Sequence, residues 1–107
     1  MGQYFVFVNL DKKEVINAWD LGSGAKFWEI SNNLKGLWCF LLRKSNEGGG
    51  GDIDFTSYKH IGRWAGDRVV LIGDYDKSKL YDKASDTYKD ITEEIKKEYK
   101  KFRSWLG

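Results

Sequence analysis

The sequence predicts an α+β domain, a two-layer sandwich with an antiparallel or mixed sheet packed on two helices. Three observations predict it. Residues 68–72 (RVVLI) are a short β-branched apolar run between Gly66 and Gly73, which reads as a strand buried on both faces. Residues 3–10 (QYFVFVNL) form a second strand with Tyr4, Val6, Val8 and Leu10 pointing one way and Phe5 and Phe7 the other. Residues 25–43 and 91–106 instead repeat their apolar side chains at the helical period.

Both faces of the first strand are apolar, which places it in the interior of a sheet. Asp11, Lys12 and Lys13 break the pattern, and residues 14–19 (EVINAW) return as a strand without the Asn-Gly pair that secures a tight hairpin. After Leu21-Gly22-Ser23-Gly24 a single helix is expected over residues 25–43, with Ser23 as N-cap. Its buried face is Phe27, Ile30, Leu34, Leu37, Trp38, Leu41 and Leu42; Trp28, Cys39 and Phe40 fall outside that arc. Gly36 sits on the polar side, where it weakens a helix by about 1 kcal/mol relative to alanine.

Residues 46–54 (NEGGGGDID) form a glycine-rich polar loop, followed by Phe55, Tyr58 and Ile61 as anchors. The stretch over residues 62–76 (GRWAGDRVVLIGDYD) holds the central strand between charged, glycine-bearing turns. Here Trp64 is expected to be buried, with Arg63 and Asp67 held at the surface. Residues 74–86 read as a polar connection pinned by Leu80 and Tyr81. Asp90 and Glu93 resemble a capping box for the last helix, whose buried face is Ile91, Ile95, Tyr99, Phe102 and Leu106.

A chain of 107 residues is expected to form one domain, residues 1–107. Five Trp, six Tyr and six Phe predict an aromatic-rich core, the alternative being one or two Trp displayed for a partner. A net charge of +2 is too small to argue for nucleic acid. One cysteine, Cys39, excludes an intramolecular disulfide, and Cys39 itself reads as a small core residue. With His60 the sole histidine, no metal site and no cofactor are expected. No apolar run is long enough to span a bilayer and no leader pattern opens the chain, so no membrane association and a cytoplasmic location are expected.

Three segments, MGQYFVFVNLDK at residues 1–12, the glycine run ending GGGGD, and GRWAGDRVVLIGDYD, resemble a family of small uncharacterised proteins. Its members share an MGQY…NLDK start, glycines before an Asp, and a GRWAGDR…GDY segment; the DIT at residues 90–92 is similar as well. The resemblance brings no activity, cofactor or catalytic residue with it.

The candidate ligand site is Arg63, Asp67, Arg68, Asp74 and Asp52, joined by Asp54. Guanidinium forks among carboxylates make a phosphate or carboxylate pocket, or else pair with one another as structural salt bridges. Asp74, Asp76, Ser78 and Asp82 have alternating oxygen ligands, but Lys79 and Ser85 stand where a calcium loop needs Gly and Glu. Lys96, Lys100 and Arg103 form a basic helical stripe, widened by Lys97 and Lys101 near Trp105, the pattern of a nucleic-acid face. No nucleophile elbow or Walker-type loop is present. The expected function is therefore a non-enzymatic binding or interaction module, the alternatives being an enzyme or small-anion binder built on the Arg/Asp cluster, or nucleic-acid binding through the last helix. A protein partner and a homodimer are the expected associations, because strands apolar on both sides need a second cover if the helices share one face.

Overall fold

The computed structural model describes residues 2–45 and 56–106. Strands β1 (Phe5–Asn9) and β2 (Glu14–Asn17) lead through a 3-10 turn (Trp19–Leu21) into helices α1 (Phe27–Asn33) and α2 (Leu37–Leu42). Strand β3 (Val69–Gly73), helix α3 (Leu80–Thr87), the two-residue strand β4 (Lys89–Asp90) and helix α4 (Thr92–Leu106) complete it. The sheet is mixed, in the order β3-β1-β2-β4. β1 runs antiparallel to both β2 and β3, and β4 lies parallel to β2. This is the α+β class with helices packed on a mixed sheet.

Strand parity is as the apolar pattern requires. Phe7 and Ile16 enter one core with Ile30, Leu34, Leu37, Phe40, Leu41, Trp64, Ile95, Tyr99 and Phe102 from α1, α2, α4 and the loop before β3. Val6, Val8, Val15 and Ile72 face the other way and pack with Ala84, Leu80 and Tyr81 of α3. The second sheet face thus finds its cover inside the chain. The stretch over residues 74–86 is not all polar connection: its end coils into α3 because Leu80, Tyr81 and Ala84 recur at helical spacing beneath the sheet.

β3 is an edge strand rather than the central one, and β1 and β2 hold the interior. Apolar side chains on both faces report cover above and below a strand, not neighbours to its sides. The β1–β2 turn, lacking Asn-Gly, is fastened by buried Asn9. Its Oδ1 accepts the N–H groups of Asp11 (2.9 Å) and Lys12 (2.8 Å), an Asx-type turn.

The predicted helix over residues 25–43 is two helices. Gly36 adopts φ +73°, a left-handed conformation that ends one helix and starts another in a new phase. The break turns Phe40 inward and Cys39 outward, and leaves Leu42 and Phe27 exposed. Cys39 is therefore a surface residue. A Cβ on Gly36 would stand 2.7 Å from Leu106 Cδ1 and 2.9 Å from Phe102 Cε2, so the elbow is also where α4 presses closest.

Helix starts differ in detail. Ser23 does not cap α1; its hydroxyl donates to the Gly24 carbonyl (2.8 Å), while Glu29 Oε1 accepts the Lys26 N–H (3.1 Å). At α4, Asp90 Oδ1 accepts the Thr92 N–H (2.9 Å), but Glu93 lies 3.8 Å from Lys96 instead of closing a box. Leu106 at the far end of α4 is exposed. Of the five Trp, Trp64 is fully buried, whereas Trp19, Trp28 and Trp105 are exposed, so the aromatic surplus is shared between core and surface.

Candidate functional site

The segment before β3 docks on the end of α2. Gly62 N–H donates to the Phe40 carbonyl (2.7 Å) and Trp64 N–H to the Leu41 carbonyl (2.9 Å), satisfying carbonyls that the helix end leaves open. Gly62 has φ +78° and lies so close that a Cβ would meet the Arg43 carbonyl oxygen at 2.4 Å. This docking drives Trp64 into the core and aims its Nε1–H at Glu14, which accepts it through Oε1 at 2.8 Å.

Glu14 opens β2 on the inward parity of Ile16 and is buried. Its carboxylate takes two further bonds from Arg63, Nε to Oε1 at 3.3 Å and Nη2 to Oε2 at 2.8 Å. Burial works to raise the Glu14 pKa, but the bonds from Arg63 and Trp64 outweigh it and hold the carboxyl below its ordinary value. The Glu14 bond in turn holds the Arg63 guanidinium above its ordinary value. Arg63 Nη1 lies 2.9 Å from His60 Nδ1, and since guanidinium only donates, that ring nitrogen accepts and the proton sits on Nε2. Nη2 also reaches Glu94 (3.2 Å), which pairs with Lys89 (2.9 Å), while Glu98 accepts the N–H groups of Lys59 and His60. Arg63 is thus half-buried in a closed network rather than held at the surface.

The other residues of the predicted Arg/Asp site do not join it. Asp67 pairs with Lys12 and accepts Asn9 Nδ2 (2.8 Å), contacts that lower its pKa. Arg68 pairs with Asp11 (2.8 Å), whose pKa is lowered first by the Arg68 backbone N–H. Asp74 accepts the Tyr4 N–H (3.0 Å). Arg68 and Asp74 flank opposite ends of β3, about 20 Å apart at the usual strand rise. They cannot share one small ligand. Asp52, Asp54 and Phe55 lie outside the described residues. Asp76 turns back on Ser78, and among the described residues no group of His, Cys, Asp and Glu has the arrangement of a metal site. No helix of the described residues is long and apolar enough to cross a membrane.

Two of the basic-stripe residues do converge. Lys100 and Arg103 line an open groove of about 590 Å³ with Asn33, Ser104 and Gly22, over a floor of Leu21, Leu34 and Tyr99. Arg103 Nε donates to the Asn33 carbonyl (3.2 Å), which anchors the guanidinium at the end of α1. Buried Tyr99 donates to the Lys35 carbonyl (3.0 Å), and desolvation raises its pKa to about 12, so it is a neutral donor. Neither Lys100 nor Arg103 has an acidic partner among the described residues. Lys96 is drawn to Glu93, and Lys101 stands over the Tyr58 ring at 5.4 Å, so the stripe divides.

Sequence reasoning missed Glu14, although a carboxylate at the inward parity of an apolar strand is a signal in itself: it must have partners. Asn33 and Ser104 carried no such signal, because the groove arises from how α4 crosses the end of α1. No protein family, no curated protein and no solved structure matches this chain.

Proposed function

We propose that this protein is a small non-enzymatic binding module whose ligand site is the groove between α4, the end of α1 and the 3-10 turn. The observation that supports it is the pairing pattern. Arg63, Asp67 and Arg68 are each engaged in ion pairs, whereas Lys100 and Arg103 share one groove and keep their charge available. Two cations above Leu21 and Leu34 suit a small anion, a phosphate or carboxylate, carried on an apolar body. The Glu14–Arg63–Trp64 lock reads as scaffold, because a buried carboxylate already holding three hydrogen bonds has little left for a substrate.

A thermal-shift series with inorganic phosphate, mononucleotides and aliphatic carboxylates tests the reading. A ligand at one hundred times its Kd adds about 2.7 kcal/mol of stability. Lys100→Ala/Arg103→Ala should abolish that gain, and Lys97→Ala, on exposed helix surface, should keep it. No stabilising anion, or a gain that survives the double substitution, overturns the proposal. A gain confined to oligonucleotides and sensitive to Lys96→Ala and Lys97→Ala would instead favour the nucleic-acid alternative.

A further inference from the structure

We propose that a second groove, between α1, α2 and the helical face of the sheet, is a binding site for a small aryl carboxylate. It is separate from the groove beside α4, with which it shares only Leu34. At about 380 Å³ it lies near the small end of the roughly 300–1,000 Å³ range of ligand sites. A compact ligand fits it.

The groove follows from the left-handed elbow at Gly36, which starts α2 in a new phase and leaves a gap between the two helices. Phe7 of β1 and Leu71 of β3 form the floor of that gap, with Phe27 of α1 and Trp38 of α2 as walls. Phe7 and Trp38 meet edge to face with ring centres 5.0 Å apart, and Phe5 and Phe27 do so at 5.7 Å. Phe27 is nonetheless 59% exposed and Trp38 only half-buried, so ring surface from both helices stays open. A flat aromatic body entering there gains ring contacts as well as apolar burial, which a saturated body of equal size does not.

The polar groups of the groove are few and of one sign. Ser31 Oγ already donates to the Phe27 carbonyl (2.9 Å), so its hydroxyl can only accept a further bond. A sugar or a nucleotide finds little to pair with. Lys35 is the one charged residue that lines the groove, and it has no acidic partner among the described residues. One cation beside an apolar slot suits a single negative charge on an apolar body, and no carboxylate is there to receive a cationic ligand. A lone ammonium also matches a monoanionic carboxylate, whereas the Lys100–Arg103 pair suits a phosphate.

Cys39 supplies the test. It is exposed, lines the groove and is the sole cysteine, so its alkylation by iodoacetamide in the whole chain reports occupancy. Naphthoate should slow that alkylation saturably. Lys35→Ala should weaken the protection about fivefold, the upper range of an exposed ion pair, and naphthylmethanol, which keeps the rings without the charge, should be weaker to the same degree. Phe27→Ala removes an exposed ring outside the core and should abolish the protection. The fully saturated analogue of naphthoate should protect less than naphthoate itself. Lys100→Ala/Arg103→Ala, which tests the groove beside α4, should leave the protection in place, so the two sites fail separately. No protection by naphthoate, protection that survives Phe27→Ala or is lost in the double variant, indifference to Lys35→Ala, or equal protection by either analogue overturns the proposal.

Discussion

Replacing Trp64 tests the whole docking of the segment before β3. The side chain is fully buried, touches the larger core, and ends in a 2.8 Å hydrogen bond to a carboxylate. Trp64→Ala removes the contact area and leaves a cavity, which costs about 3–5 kcal/mol. Against a total of about 5–15 kcal/mol that is a large share of the fold. In urea it should lower the unfolding midpoint by roughly 2 M. Trp64→Phe separates the two components: most of the ring contact stays, but Glu14 loses a donor while still buried. A bond to a charged acceptor is worth about 1.5–3 kcal/mol, so Trp64→Phe should lose at least that. Combined with Glu14→Gln the losses should not add, with a coupling of about 1 kcal/mol or more. Should Trp64→Ala cost less than about 1 kcal/mol, the range of ordinary surface changes, the docking argument fails. An additive cycle would remove the Glu14–Trp64 bond from the account.

Further outcomes follow from the same geometry. Because the folded Glu14 carboxyl lies below its ordinary value of 4.5, the unfolded chain takes up that proton first as the pH falls. Its contribution is present above 4.5 and lost as pH drops through the folded value, so Glu14→Gln should flatten the fall in urea stability between about pH 6 and about pH 3. Tyr99 runs the other way: raised from 10.0 to about 12, it adds stability below 10 that is lost as pH climbs through 12, and a spectroscopic titration should show a tyrosine ionising near 12 that Tyr99→Phe removes. Gly36→Ala should destabilise by more than about 1 kcal/mol, opposite in sign to the gain that an ordinary helical glycine predicts, because φ +73° and the contacts with Phe102 and Leu106 both oppose a Cβ. Calorimetry of that single variant reads the sign directly.

The parts of the fold legible in the sequence are those where one periodicity runs unbroken. Phe7 against Val6 and Val8 was assigned to opposite faces correctly because a strand alternates without exception. Ile95, Tyr99 and Phe102 were assigned to the α4 core face because nothing interrupts that helix. Gly36 defeated the same method: a glycine on the polar side of a continuous apolar arc looks tolerable until the chain is seen to turn left-handed there. Edge and interior were confused for β3 because side-chain polarity reports the faces of a strand, whereas its edges are peptide groups common to every sequence. The candidate site divided in the same way. Lys100 and Arg103 fall three apart on one helix and were found together. Arg63 was singled out with Arg68 and Asp74 from nearness along the chain, yet its partner is Glu14, 49 residues earlier.

The distance along the chain between β2 and α4 has a consequence during synthesis. Phe7 and Ile16 emerge early, but the residues that close over them, Ile95, Tyr99 and Phe102, come near the end of the sequence. At about 5–20 residues per second, a ribosome takes on the order of ten seconds to deliver the lid after the hairpin. Throughout that interval the core face of β1 and β2 has only α1, α2 and the Trp64 segment to cover it, and β3 has yet to arrive or has just paired. A chain stopped before α4 is therefore expected to aggregate more readily than the finished fold, which light scattering of a truncated and a whole chain would compare.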